Sequence, residues 1–274
     1  MEFSAYTQTS DTLQARIKDI SNRRIDDKPK VLRDLFSFLD LTTLEATDHT
    51  ARIRTFCSQA LEYHSKGLTV AAVCVYMPFI GICREMLQHT DIQIATVSNS
   101  FPSGQLPLHL KLEEVRWAVE QGADEIDMVI NRGKMLEAAY DDVFTEIRET
   151  KKACGQARLK VILETGELGD PLIIRKASEL ALLAGADFLK TSTGKVQPAA
   201  TPEAAVVMLD TIQEYFQATG KQVGFKPAGG ISDAETALLY YKLVDHILGN
   251  EWLCPQLFRI GASRLASKLN ELIP

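Results

Sequence analysis

Three charged side chains stand where apolar neighbours would bury them. Asp127 lies in Ile126-Asp127-Met128-Val129-Ile130, Lys190 in Phe188-Leu189-Lys190-Thr191, and Lys226 in Val223-Gly224-Phe225-Lys226-Pro227. An unpaired ion in a protein interior is costly even after relaxation. Such positions therefore mark a structural ion pair, lysines turned to solvent at strand ends, or chemistry. One isolated lysine would be read as solvent-facing; three charges converging on one place favour chemistry. Two neighbouring lysines make a recognisable device, because one cation disfavours protonation of the other and leaves a neutral amine. That amine can attack an aldehyde and form an imine. Once protonated, the imine is an electron sink for carbon–carbon cleavage or α-proton removal, with Asp127 moving protons directly or through water.

The spacing says how the three could meet. Gly122-Ala123-Asp124 and Gly185-Ala186-Asp187 form a weak internal repeat, each ending a helix at a glycine and launching a strand. Three residues beyond each aspartate sits Asp127 in the first copy and Lys190 in the second. Strand side chains alternate faces, so equal offsets aim both residues the same way. If both point inward from the fourth and sixth strands of a barrel, they share a layer and approach one another.

Such a barrel is what the rest of the chain predicts. Short apolar or β-branched runs at 37–41, 69–75, 93–97, 125–130, 160–164, 187–191, 222–226 and 258–260 read as strands. Helical patterns at 112–121, 140–153, 171–183, 202–217 and 233–248 lie between them. Asp170-Pro171 and Thr201-Pro202 each set a capping side chain before a proline at the first helical position. The expected architecture is a single (β/α)8 TIM barrel over residues 35–274, the catalytic domain, close to the size of about 250 residues typical of that fold. It follows a helical N-terminal extension, residues 1–34; the charged stretch 13–35 reads as one or two exposed helices ending near Pro29.

Two glycine-containing turns follow late strands, where this fold often binds phosphate. They are Pro227-Ala228-Gly229-Gly230-Ile231-Ser232 and Gly261-Ala262-Ser263-Arg264. Gly229, Gly230, Ser232, Gly261, Ser263 and Arg264 are thus candidate phosphate ligands, with backbone N–H groups at helix starts holding the anion. Thr193-Gly194-Lys195 superficially suggests a nucleotide P-loop, but Leu189 stands where that motif needs its first glycine. Thr193, Gly194 and Lys195 fit better as a cover over a phosphosugar. The histidines at 49, 64, 89, 109 and 246 form no H-x-H or H-E-x-x-H pattern, so no zinc site is expected.

The bulk numbers exclude several classes. A net charge of −6 without a dense Lys/Arg block argues against a nucleic-acid or anionic-membrane surface. Five scattered cysteines with no C-x-x-C pair suit free thiols in a reducing cytoplasm. Cys74 ends the second predicted strand; an inert buried thiol is the plain reading, and an aldehyde-trapping thiol at the mouth the alternative. The N-terminus has no apolar core of a signal peptide, and the stretch 68–83 is broken by Tyr76 and Pro78, short of the ~18 residues of a membrane span.

The string Gly185-Ala186-Asp187-Phe188-Leu189-Lys190-Thr191-Ser192-Thr193-Gly194-Lys195 resembles the Schiff-base motif of class I deoxyribose-phosphate aldolases, and Gly224-Phe225-Lys226-Pro227-Ala228-Gly229-Gly230 resembles their second-lysine motif. Leu39-Asp40-Leu41-Thr42-Thr43-Leu44 and Lys160-Val161-Ile162-Leu163-Glu164-Thr165-Gly166-Glu167-Leu168 support it. The resemblance implies reversible cleavage of 2-deoxy-D-ribose 5-phosphate to D-glyceraldehyde 3-phosphate and acetaldehyde, in deoxyribonucleoside catabolism, with no metal or organic cofactor. It implies Lys190 as the imine-forming residue, Lys226 and Asp127 as proton donor and acceptor, a cytoplasmic location, and a homodimer with small-molecule partners only. There are departures. Ser232 stands where relatives often carry arginine, and Arg264 where they carry a second serine, which suggests that Arg264 supplies the phosphate charge lost at Ser232. Some relatives end in a tyrosine that assists proton transfer; here the last tyrosine is Tyr241, leaving that transfer to water or Asp127. The alternatives are a transaldolase-like imine enzyme on another phosphosugar, and a non-catalytic phosphosugar-binding barrel.

Overall fold

The computed structural model describes residues 1–273. Eight short strands are present: β1 (Leu39–Thr42), β2 (Ala72–Val75), β3 (Gln93–Ser98), β4 (Glu125–Val129), β5 (Arg158–Ile162), β6 (Phe188–Lys190), β7 (Gly224–Lys226) and β8 (Ile260–Ala262). They form one parallel sheet in the order β7-β6-β5-β4-β3-β2-β1-β8. Two isolated bridges, Phe225 to Phe258 and Ala228 to Gly261, join its two ends. The result is a nearly closed (β/α)8 barrel.

Helices α1 (Ser10–Ser21) and α2 (Lys28–Ser37) precede the barrel. Around it run α3 (Thr50–Ser65), α4 (Ile80–Leu87), α5 (Leu108–Glu120), α6 (Arg132–Leu136), α7 (Tyr140–Ala153) and α8 (Thr165–Leu168). The ring is completed by α9 (Pro171–Leu183), α10 (Pro202–Thr219), α11 (Ala234–Leu248) and α12 (Leu265–Leu272). No helix among the described residues is long and apolar enough to cross a membrane.

The local chemistry explains several boundaries. The Asp170 carboxylate accepts from the Leu172 N–H and the Thr201 hydroxyl from the Ala204 N–H, each beside a proline that opens its helix. The Gly-Ala-Asp repeat is a register device. Gly122 and Gly185 adopt φ of +98° and +94°, which favours glycine. Asp124 Oδ2 then accepts from the Ile94 N–H of β3 at 2.8 Å, and Asp187 Oδ2 from the Leu159 N–H of β5 at 2.7 Å. Each aspartate stitches its strand to the one before, fixing the height at which Asp127 and Lys190 project.

Some elements differ from expectation. Pro29 does not end a helix: it lies in the first turn of α2, where the Asp27 carboxylate caps the Lys30 N–H. Nor are the first two helices merely exposed, since Leu13, Ile20, Val31, Leu32 and Leu35 are buried against the helical ring. The chain before α1 is held too, with the Arg175 guanidinium 5.0 Å from the Phe3 ring centre and 5.4 Å from that of Tyr6. β8 spans 260–262 rather than 258–260, because Gly261 and Ala262 pair with Asp40 and Leu41 while Phe258 makes only a bridge. β5 spans 158–162 rather than 160–164, because the chain leaves the sheet before Glu164, which turns left-handed at φ +57°. β1 starts at Leu39 because Ser37 still belongs to α2, and α5 starts at Leu108, directly after Pro107.

If α2 is part of the packed body, Leu32→Ala should lower unfolding free energy by about 2–5 kcal/mol, the usual cost of emptying a buried leucine site. Urea denaturation followed by circular dichroism would measure it, and a loss below about 1 kcal/mol would mean a loosely attached helix.

Candidate active site

Lys190 is the last residue of β6 and Lys226 the last of β7, and they are register partners. Asp127 sits in the middle of β4. Lys190 Nζ donates to Asp127 Oδ2 at 2.7 Å, and Lys226 Nζ donates to the same oxygen at 2.7 Å. The residues with matched offsets thus meet inside the barrel, and the second lysine joins them.

Four more charged side chains extend the cluster. Lys160 Nζ lies 2.9 Å from Asp127 Oδ1, 2.5 Å from Glu125 Oε2 and 3.4 Å from Asp40 Oδ2. Lys226 also bonds Asp40, and Arg259 reaches Asp40 Oδ1 at 2.6 Å and Glu125 Oε1 at 2.7 Å. All are buried. A charge flanked by apolar neighbours is the signal that marks Lys190, and it would also have found Asp40, between Leu39 and Leu41, and Lys160, before Val161-Ile162-Leu163. Arg259, between Phe258 and Ile260, carries the same signal; Glu125, which follows Asp124 at the start of its apolar run, does not.

The cluster separates its lysines electrically. Burial, first, and then the charge of Lys226 lower the pKa of Lys190 below the ordinary lysine value, against the opposing pull of Asp127. Burial acts on Lys226 as well, but Asp127 and Asp40 overcome it and hold its ammonium above the ordinary value. Lys160 is raised in the same way, burial being outweighed by Asp127, Glu125 and Asp40. Burial would raise Asp127, yet Lys160, Lys190 and Lys226 together hold its carboxyl well below the usual range. The barrel therefore contains one lysine whose protonation burial disfavours, two whose protonation the carboxylates favour, and a carboxylate between them. Burial contributes more to the state of Lys190 than the neighbouring cation does.

Above Lys190 opens a cavity of about 400 Å3. Thr193, Gly194 and Lys195 line it from the loop after β6, and Gly229, Gly230 and Ser232 from the loop after β7. Gly261 of β8 and Ser263 and Arg264 just after it complete the wall. Lys190 belongs to the lining, whereas Asp127 and Lys226 are sealed below it. Gly229, at φ +83°, is where two of these loops touch: a Cβ there would fall 2.6 Å from the Ala199 Cβ and 3.0 Å from the Gly194 Cα. A glycine is required for that approach, beyond its use as a turn residue.

Two acidic residues shape this mouth without a signal in the sequence reading. Buried Glu164 accepts from the Thr193 N–H at 3.2 Å and the Thr193 hydroxyl at 2.5 Å, so it pins the loop that carries Gly194 and Lys195. Exposed Glu45 lies 3.4 Å from Lys195 Nζ across the opening. Cys74 is wholly buried with Leu44, Ala72, Ala95 and Val97 and does not line the cavity. Burial, then Asp127, push its thiol pKa up, which suits the inert reading and not an aldehyde trap at the mouth. Tyr241 lies on α11 beside a separate groove with Arg23, Arg24 and Asp27.

A nearly closed (β/α)8 barrel with a buried lysine under a polar, glycine-walled cavity defines a class of enzyme, and comparison with known proteins names it. The model of the DeoC/LacD family aldolases matches residues 35–245. The chain is 46% identical to deoxyribose-phosphate aldolase of Homo sapiens over 250 residues, covering 86% of this chain and 79% of that protein. It is also 46% identical to deoxyribose-phosphate aldolase of Bos taurus over 248 residues, covering 86% and 78% respectively. Its fold superposes on that of a solved deoxyribose phosphate aldolase of Aeropyrum pernix with a TM-score of 0.71 at 24% identity, over 93% of this chain and 95% of that one. The chain belongs to the DeoC/LacD family of aldolases, and is a lyase.

If the touching glycines shape the anion site, Gly229→Ala should weaken inorganic phosphate binding about tenfold, equivalent to ~1.4 kcal/mol. Calorimetric titration of the folded variant would show this; unaltered affinity would mean the loops adapt to the added methyl group.

Proposed function

We propose that this aldolase reversibly cleaves 2-deoxy-D-ribose 5-phosphate to D-glyceraldehyde 3-phosphate and acetaldehyde through an imine on Lys190. The observation that carries the reading is the pair of 2.7 Å contacts by which Lys190 and Lys226 share one oxygen of Asp127 at the base of a glycine-walled cavity. The names of the 46%-identical relatives supply the substrate.

The neutral Lys190 amine adds to the aldehyde carbon of the open-chain sugar, and loss of water gives a protonated imine. Asp127, held ionised by its lysines, takes the proton of the C3 hydroxyl directly or through water. The C2–C3 bonding pair then moves toward the iminium, C3 leaves as the aldehyde of glyceraldehyde 3-phosphate, and an enamine remains. Protonation of that enamine at C2 and hydrolysis by water release acetaldehyde and restore Lys190. Lys226, held protonated, is the proton donor in this scheme. The imine is itself the electron sink, so the sequence of steps calls for no metal or organic cofactor.

The phosphate belongs at the mouth, against the backbone of Gly229, Gly230 and Gly261, the hydroxyls of Thr193, Ser232 and Ser263, and the cations Lys195 and Arg264. Arg264 lines the cavity directly before α12, which supports its replacing the charge absent at Ser232. Residues 35–274 are the catalytic barrel and residues 1–34 a helical extension in this proposal, which places the enzyme in the cytoplasm as a homodimer.

Borohydride reduction with acetaldehyde should add one ethyl group to the chain, mapped by peptide mass to Lys190; an unmodified Lys190 would remove the imine mechanism. In Lys226→Leu the rate of that trapping should move to higher pH, because removing a cation stabilises the protonated Lys190. Arg264→Ala should raise KM for the phosphorylated sugar about tenfold with little change in kcat, and an unchanged KM would return Arg264 to the solvent.

A further inference from the structure

Lys190 and six charged side chains beneath it form one connected cluster in the barrel interior. Three are carboxylates, Asp40, Glu125 and Asp127; four are cations, Lys160, Lys190, Lys226 and Arg259. They come from every strand region except β2, which adds only the Cys74 thiol, and β3, which adds uncharged Ala95 and Val97. Asp40 is on β1, Glu125 and Asp127 on β4, Lys160 on β5, Lys190 on β6, Lys226 on β7, and Arg259 directly before β8. All are nearly or wholly closed to solvent.

Fully charged, this set carries one positive charge too many. Water cannot screen it there, so release of one proton is favoured. The contacts say which group gives it up. Arg259 does not deprotonate in proteins. Lys160 lies against three carboxylates and Lys226 against two, whereas Lys190 has Asp127 alone. With Lys190 neutral, three cations balance three carboxylates.

We propose that Glu125 and Arg259, at the opposite end of the cluster from the cavity, are positioning residues that keep the charge count at which Lys190 reacts as a free amine. They line no part of the cavity above Lys190. Their influence runs through Lys160 and Asp40, which they contact directly and which in turn contact Asp127 or Lys226. This rests on the reading of Lys190 as the imine-forming residue.

The pair makes opposite predictions for its two members. Arg259→Met leaves three carboxylates facing three cations with Lys190 still protonated, so the amine keeps its proton to higher pH. Glu125→Gln deepens the positive excess and frees the amine at lower pH. A unit charge about 10 Å away in an effective dielectric of about 20 moves such a titration by about one pH unit. The double variant, Glu125→Gln with Arg259→Met, restores the balance and should return to within about half a pH unit of the unmodified enzyme.

The experiment is the pH dependence of borohydride trapping with acetaldehyde, read as the rate of ethyl-adduct formation at Lys190 by peptide mapping on the full chain. Shifts of opposite sign in the single variants, cancelling in the double, support the proposal. Midpoints that stay put while yield falls at every pH mean a structural role and overturn it, as do shifts of the same sign. If Arg259→Met does not fold, an acid shift in Glu125→Gln that is reversed in the double variant still decides. No adduct in the unmodified enzyme would instead sink the Lys190 reading, and this inference with it.

Discussion

The carboxylate of Asp127 accepts from Lys160 on one oxygen and from Lys190 and Lys226 on the other, and the rest of the site is arranged around that sharing. A carboxylate buried in an apolar strand is stable as an anion only because three ammonium-bearing side chains reach it. Those lysines are in turn stable beside one another only because the anion lies between them. Burial disfavours the charge on each of them, and only the lysine that faces the cavity, which has a single carboxylate partner, is lowered below the ordinary lysine value. In the proposed mechanism that lowering is what makes Lys190 the nucleophile.

The fold was legible where side chains announce their environment. Apolar runs found all eight strands, and proline with a capping residue found the starts of α9 and α10. Strand ends were less legible where residues lack apolar bulk: Gly261 and Ala262 are strand, yet they read as a turn. The matched offset of Asp127 and Lys190 was readable because a strand has a two-residue period and the Gly-Ala-Asp repeat fixes where it starts. Lys160 and Asp40 offered the same kind of signal. Arg259, between Phe258 and Ile260, did too; Glu125 did not, because it follows Asp124 at the start of its apolar run, and barrel closure brings it to Arg259 from 134 residues away. Glu164 was hidden differently, since its left-handed backbone and its grip on Thr193 leave no trace in local composition.

The mouth of the barrel divides the work differently from its interior. Inside, charges are fixed by one another; above, a polar wall is made from backbone and small side chains brought close by glycine. Lys195 and Glu45 show the exposed counterpart of the buried pairs, a contact at 3.4 Å that water and salt can screen. Charges at the mouth are therefore open to screening, whereas those around Lys190 are not.

The seam between β7 and β8 gives the buried charges a second consequence. Those strand regions are joined by two isolated bridges rather than by the continuous ladder that joins every other neighbouring pair. Lys226 of β7 reaches over this seam to Asp40 of β1, and Arg259 ties the approach to β8 to both β1 and β4. These ion pairs thus span the seam that the backbone joins least continuously. The atoms that set the charge around Lys190 also connect strands across the seam, so a substitution in the cluster bears on both.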